Sequence, residues 1–212
     1  MNQMSSFKTT FLLLLFFVSG CGVNSSYKSA ANYYFLNPDK DLSTVGRVVL
    51  VEFVNDSAYP QISDDTTDAL YEAMQKKQIF GLTLVRQKDP AWQNLQLDMN
   101  TAYTFEQLSA IRRTLKCDAV LRGTVTRYQP FPHMVIGLRL DLIDLAEGHL
   151  LWALEQIWDT ADKNIQDRIK DYYNHHILPG SESLEVGLGT VSSIKFIKFV
   201  AFETAETLQP KR

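Results

Sequence analysis

Two cysteines stand out by position among the residues of this 212-residue chain that can do chemistry. Cys21 follows Val18-Ser19-Gly20, where small residues let the backbone lie extended in a peptidase groove and the branched Val18 fills a pocket there. Cys117 lies between Leu115 and Ala119, at the junction of an apparent helix and strand. It reads either as a buried, inert small residue or as a free thiol that reacts or crosslinks protomers. Asp141 and Asp144 resemble a catalytic carboxylate pair, but at that spacing on a strand they face opposite sides. Ser57 or Ser63 with His133 would make a nucleophile and base only if distant segments met, and no G-x-S-x-G is present. His175-His176 reads as a solvated helix end, which suits cations, against a metal pair lacking a third ligand nearby. No CxxC, HExxH or His/Asp cluster is found. The expectation is therefore no catalytic, cofactor-binding or metal residues, and a chain that is not an enzyme.

The segment that positions Cys21 is informative. A single charge, Lys8, precedes the unbroken run Phe11-Leu-Leu-Leu-Leu-Phe-Phe-Val18. This is the n-region and h-region of a signal peptide. The run is far shorter than the roughly 20 residues a helix needs to cross a bilayer. Val18-Ser19-Gly20-Cys21, at this distance from the h-region, resembles the bacterial lipobox. That resemblance implies cleavage before Cys21, transfer of diacylglycerol to its thiol, further acylation with palmitate, and a membrane partner reached through the N-terminal lipid. One acyl chain binds only marginally and firm anchoring takes two signals, so a multiply acylated cysteine holds. Gly22 stands where an Asp would favour the inner membrane; the same resemblance thus implies the outer membrane, facing the periplasm.

Composition narrows the function classes. The chain has 21 basic and 24 acidic residues; losing residues 1–20 removes only Lys8, which leaves 20 against 24 and a net charge near −4. A mildly acidic surface argues against nucleic acid. With Cys21 acylated, Cys117 has no disulfide partner within the chain.

Residues 21–46 read as a lipidated tether, to about Ala31, and an aromatic lead-in. Asn32-Tyr-Tyr-Phe-Leu36 is too aromatic for a linker and packs on the domain or on a neighbouring protomer. Arg47–Phe53 is a strand apolar on both faces. Ser63-Asp64-Asp65 caps a helix running to about Gln78. Gly81–Val85 is a short strand, and Gln87–Met99 a polar connection with Pro90 and Trp92. Thr104-Phe-Glu-Gln107 is a capping box that opens a helix with Leu108, Ile111 and Leu115 inward. Ala119–Tyr128, Met134–Ile143 and His149–Trp158 alternate as strands of an antiparallel meander. Asp162 to about His175 is a helix, Pro179–Thr190 a loop, and Ile194–Leu208 a last helix. The order β-α-β-α-β-β-β-α-α predicts one α+β domain: a mixed sheet with a central antiparallel meander flanked by helices. Its bounds are 47–178, with 179–212 a loop and a C-terminal helix packing on it.

Three stretches carry a wider resemblance. They are Val48-Val-Leu-Val-Glu-Phe-Val-Asn55, Cys117-Asp118 through Gly123 to Thr126, and Leu140-Asp-Leu-Ile-Asp144 through Gly148 to Leu151-Trp152. With the element order and the lipobox, they resemble a group of periplasmic lipoprotein domains that includes CsgG, LpoB, PelC and the N-terminal domain of TolB. A long membrane-spanning insertion of the CsgG kind is not evident. The resemblance implies a non-enzymatic part in envelope assembly or polymer export, through a protein partner or self-association.

Asp118 and Gly123 read as structural, at a helix–strand junction and a close backbone approach. Trp152 and Trp158 read as core or sheet-face residues, or else as anchors for a partner or membrane surface. The segment Ile194–Phe202 is either a helix packed on the sheet or an interfacial or oligomer contact. Tyr33, Tyr34, Phe196, Phe199 and Phe202 are accordingly the candidate interaction surface. Two other classes compete with a contact protein: an envelope hydrolase, and a glycan- or small-ligand module stacking on Tyr33, Tyr34, Trp92 and Tyr128.

Overall fold

The computed structural model describes residues 33–97, 101–174 and 192–209. The apolar, β-branched stretch forms β2 (Arg47–Val51), in which Val48 to Val51 are buried. It pairs in parallel with β4 (Gly81–Val85) on one side and β5 (Ala119–Gln129) on the other. β5, β6 (Val135–Asp144) and β7 (Leu150–Asp159) are antiparallel, the expected meander. A two-residue strand, β3 (Val54–Asn55), adds to β5, and β1 (Tyr34–Leu36) adds antiparallel to β7. The result is one seven-stranded mixed sheet in the order β1-β7-β6-β5-β2-β4.

Helices cover the sheet unequally. α1 (Ile62–Lys77) and α5 (Ser193–Glu206) pack on one face with α4 (Lys163–Tyr172). The larger core lies there: Leu70 and Met74, the inward set Ile136, Leu138, Leu140 and Leu142, and Trp152, Leu154 and Trp158. α2 (Pro90–Gln93) and α3 (Phe105–Leu115) sit on the other face. There Trp92, Leu108 and Ile111 bury Val49, Val51, Val85 and Val120 in a second, smaller core. That layer covers β4, β2 and the start of β5. Beyond it no described helix covers the sheet face, and among the described residues Phe35, Arg139, Glu155 and Ile157 are exposed.

Local chemistry explains most boundaries. Thr104 accepts from Gln107 N at 3.3 Å while Thr104 N donates to Gln107 Oε1 at 2.8 Å, the expected capping box. Asp162 caps α4 by accepting from Asn164 N at 2.8 Å. Asp118 ties two strand starts: Arg47 N donates to its carboxylate at 2.8 Å, and its own N–H donates to Arg47 O at 2.8 Å. The junction reading of Asp118 thus has a specific hydrogen-bond basis.

Several expectations need correction. The lead-in, expected to pack on the domain or on a neighbouring protomer, joins the sheet itself: β1 is an edge strand, and Leu42, in a short turn of helix at Leu42–Thr44, is fully buried. Three-residue strands carry too little alternation to be read from pattern. Ser63 does not cap α1, which starts one residue earlier; Ser63 is buried and its hydroxyl donates to Phe53 O. The polar connection contains a helical turn, opened by Pro90 and anchored by buried Trp92. α4 ends at Tyr172, and His175-His176 and the loop at 179–190 lie outside the described residues.

Gly123 is required by packing. A Cβ there would sit 2.3 Å from Leu140 Cδ2 and 2.8 Å from two ring carbons of Phe53. Leu140 and Phe53 are both fully buried and have nowhere to go. Gly123→Ala is therefore expected to destabilise the fold by about 1–3 kcal/mol, as overpacked cores do. A chemical denaturation midpoint equal to wild type would show that the core yields there.

Candidate interaction surface

The five aromatic residues proposed from sequence divide sharply. Phe196 and Phe199 are fully buried, stacked 6.3 Å apart between α5 and the sheet. They belong to the core and are removed from the interaction surface. The reason is the width of the apolar arc of α5: with α1 on one side and the sheet on the other, two stripes are buried instead of one. Phe202 is half-buried, 4.8 Å from the Tyr172 ring. The large apolar residue that α5 leaves in solvent is Ile194, 63 % exposed.

Tyr33 and Tyr34 lie at the opposite edge and are exposed, at 74 % and 42 %. Phe35, missed in the sequence, joins them at 43 %. Hydrogen bonding to β7 uses alternate residues: Glu155 N donates to Tyr33 O at 3.1 Å and Asn37 N to Leu151 O at 2.9 Å. The backbone groups of Tyr34 and Leu36 therefore face outward, along an edge of the sheet with no further strand among the described residues. Opposite Phe35 is Ala153, a small residue that leaves the Phe35 ring standing above the sheet. Exposed Ile157 lies further along β7 on the same face. An exposed pair crosses this face, Arg139 to Glu155 at 2.8 Å. Hydrogen bonding and charge from Arg139 hold the Glu155 carboxyl below its ordinary range. A second pair, Arg122 to Asp141 at 3.2 Å, lies beside it. The face is thus aromatic at its edge and carries opposite charges paired within it.

The competing chemistries lose their residues. The Ser63 hydroxyl donates to Phe53 O, and the Ser57 hydroxyl donates to Asn55 Oδ1 at 2.7 Å. His133 faces Asp159, its Nε2 3.6 Å from Oδ1. Asp141 faces Arg122, and Asp144 Oδ1 accepts from Ala146 N in the turn to β7. Trp92 is buried and cannot stack on a glycan, while Tyr128 is half-buried, edge-on to Tyr59 at 5.1 Å. Trp152 and Trp158 are fully buried core residues, their indole N–H groups donating to Thr207 Oγ1 at 3.1 Å and Glu203 Oε2 at 2.8 Å. Among the described residues no group of three His, Cys, Asp or Glu is placed to hold a metal ion. No helix among them is long and apolar enough to cross a membrane. Cys21 lies outside them.

No family model matches the chain, and no curated protein matches it in sequence. Solved structures do. The PelC dodecamer from Paraburkholderia phytofirmans is similar over 84 % of this chain and 96 % of its own, with a TM-score of 0.50 and 15 % identity. Lipoprotein GNA1162 from Neisseria meningitidis matches 56 % of this chain and 87 % of its own, with a TM-score of 0.43 and 14 % identity. The LpoB C-terminal domain from Salmonella enterica matches 54 % and 84 %, with a TM-score of 0.40 and 22 % identity. At these identities the PelC likeness establishes a shared fold.

Cys117 is 2 % exposed, and burial pushes its thiol up to about 11, with the neighbouring Asp118 charge adding to the effect. Only about one part in a thousand is thiolate at pH 8, and the sulfur is screened from reagent. Native protein is expected to take up no maleimide label at Cys117 at pH 8 and one equivalent after unfolding in guanidinium. Rapid labelling of the folded chain would revive the reactive-thiol reading.

Proposed function

We propose that this chain is a lipid-anchored accessory protein of the bacterial envelope, held to the outer membrane at Cys21 and facing the periplasm. It works by protein contact, including self-association, in envelope assembly or polymer export. The observation that carries the reading is the sheet edge formed by Tyr33, Tyr34 and Phe35, which no other described strand covers, with exposed Ile157 further along β7. Exposed aromatic residues with a polar handle beside an open strand edge are the composition of contact surfaces. A tether of about ten residues from the lipid keeps this edge within tens of ångströms of the membrane. The shared fold with PelC, a structure described as a dodecamer, supports a domain of this shape associating with copies of itself.

Two measurements test the reading. Cys21→Ser is expected to abolish incorporation of radiolabelled palmitate and release the protein from the membrane fraction. Continued labelling or unchanged sedimentation with membranes would exclude the anchor at this residue. The lipidated protein, extracted in detergent, is expected to sediment as an oligomer, with Tyr34→Asp and Phe35→Asp shifting it toward monomer. A wild-type monomer at tens of micromolar, with no envelope partner recovered by crosslinking, would sink the contact reading.

A further inference from the structure

The geometry points to a second contact surface: the outer edge of β4 pairs with the same edge of a second copy, antiparallel about a twofold axis at Thr83. The inference rests on the reading of the chain as self-associating. It adds a seam at the opposite end of the sheet from Tyr33, Tyr34 and Phe35.

The backbone comes first. β4 ends the sheet on the β2 side. Gly81 N donates to Gly46 O at 2.9 Å, and Glu52 N donates to Val85 O at 2.9 Å. Gly81, Val85 and, by the two-residue alternation of a strand, Thr83 therefore turn their backbone groups to β2. Leu82 and Leu84 turn theirs outward, and among the described residues no strand takes them. The chain is described without a break from Tyr33 to Leu97, so α1 before β4 and α2 after it are both placed.

Edge strands are commonly guarded by lysine, proline or a bulge. None of these guards β4. Ile79-Phe-Gly-Leu-Thr-Leu-Val85 carries no charge and no proline. Its register with β2 runs from Gly81 to Val85 without a shift. Leu82 and Leu84 pack on the larger core and stay partly exposed, while Thr83 is exposed on the other face.

The helix above the edge is ordered by charge along its length. α1 carries Asp64 and Asp65 in its first turn and Lys76 and Lys77 in its last. Arg86, just past β4, reaches Asp64 at 3.1 Å and Asp68 at 2.5 Å. Further along α1, Gln75 Nε2 donates to Tyr71 Oη at 2.7 Å.

These features select the occupant. Identical edges can pair only if equal charges stay apart. A twofold across β4 sets the two α1 helices antiparallel, with the acidic start of one toward the basic end of the other, which also suits their dipoles. On the strand, Leu82 falls opposite Leu84 of the second copy, and Leu84 opposite its Leu82. Each pair exchanges both backbone hydrogen bonds. Thr83 falls opposite Thr83 of the second copy, a favourable cross-strand pair. Self-complementary contact of this kind is the commonest form of association between identical chains. A charged peptide finds nothing on this strand to hold its charges.

The test uses the full lipidated protein in detergent. Thr83→Cys places a thiol at a pair whose Cα atoms lie about 4.5 Å apart, inside the disulfide range of about 4.4–6.8 Å. Cys117 is buried and stays out of the reaction. Oxidation with diamide is expected to give a covalent dimer in which both linked peptides contain position 83. It should form about tenfold faster, or more, than with Thr114→Cys, an exposed position on α3. Thr83→Lys and Thr83→Glu, each setting like charges opposite one another, should weaken association about tenfold. Mixed together, these two variants are expected to associate again. Crosslinking no faster than at Thr114, sedimentation unchanged by Thr83→Lys, or no recovery on mixing would overturn the inference. Should either charged variant fail to fold, the crosslinking rate decides. An oligomer dispersed by Tyr34→Asp and Phe35→Asp but untouched by Thr83→Lys sinks this seam and leaves the contact reading standing. One that Thr83→Lys reduces, and the β1 changes leave intact, keeps the seam and removes the β1 edge from that reading.

Discussion

Burial of one face of the β5–β6–β7 meander beneath α1, α4 and α5 is the constraint from which the rest of the molecule follows. Ile136, Leu138, Leu140 and Leu142 alternate into that core from β6, and Trp152, Leu154 and Trp158 from β7. Two large indoles on one strand face demand a thick, wide cover, and α5 supplies it with Phe196, Phe199 and Val200. Each indole also needs a hydrogen-bond acceptor in a dry interior. Thr207 and Glu203 provide them, just past and near the end of α5 respectively. Glu203 in turn requires a cation, and Arg168 reaches it from α4. A buried carboxylate stripped of these partners would be strongly unfavourable, so the packing of α4 and α5 is tied to the two tryptophans.

The same commitment explains the bare surface. Strand alternation that sends every second residue of β6 and β7 into the core sends Arg139, Glu155 and Ile157 the other way. The second helical layer is short: α2 is a single turn, and α3 covers only the strands nearest it. Among the described residues, a sheet of seven strands with one full and one partial layer exposes the far end of its second face. β1 is the strand that ends there. The exposed aromatic edge is thus a geometric result of how the core is shared among the helices.

Much of this was legible from residue order. The meander could be read because Met134 to Ile143 alternates without interruption. The capping box at Thr104 could be read because its two bonds need only local geometry. β1, β3 and the turn at Pro90–Gln93 could not, since elements this short are fixed by the partners they meet. Ser63 misled for a related reason: a serine before two acids has the local chemistry of a cap, but a buried carbonyl at Phe53 claimed its hydroxyl.

The candidate surface divided along the same line. By itself the sequence determined the lipobox pattern around Cys21, the α+β order and the sparse catalytic inventory, because each is written in neighbouring residues or in a simple period. The tertiary structure alone decided which aromatic residues face solvent. Tyr34 and Phe196 both stand in aromatic-rich stretches of the chain. One ends on the outermost strand and the other beneath two elements, and burial is set by what packs across space.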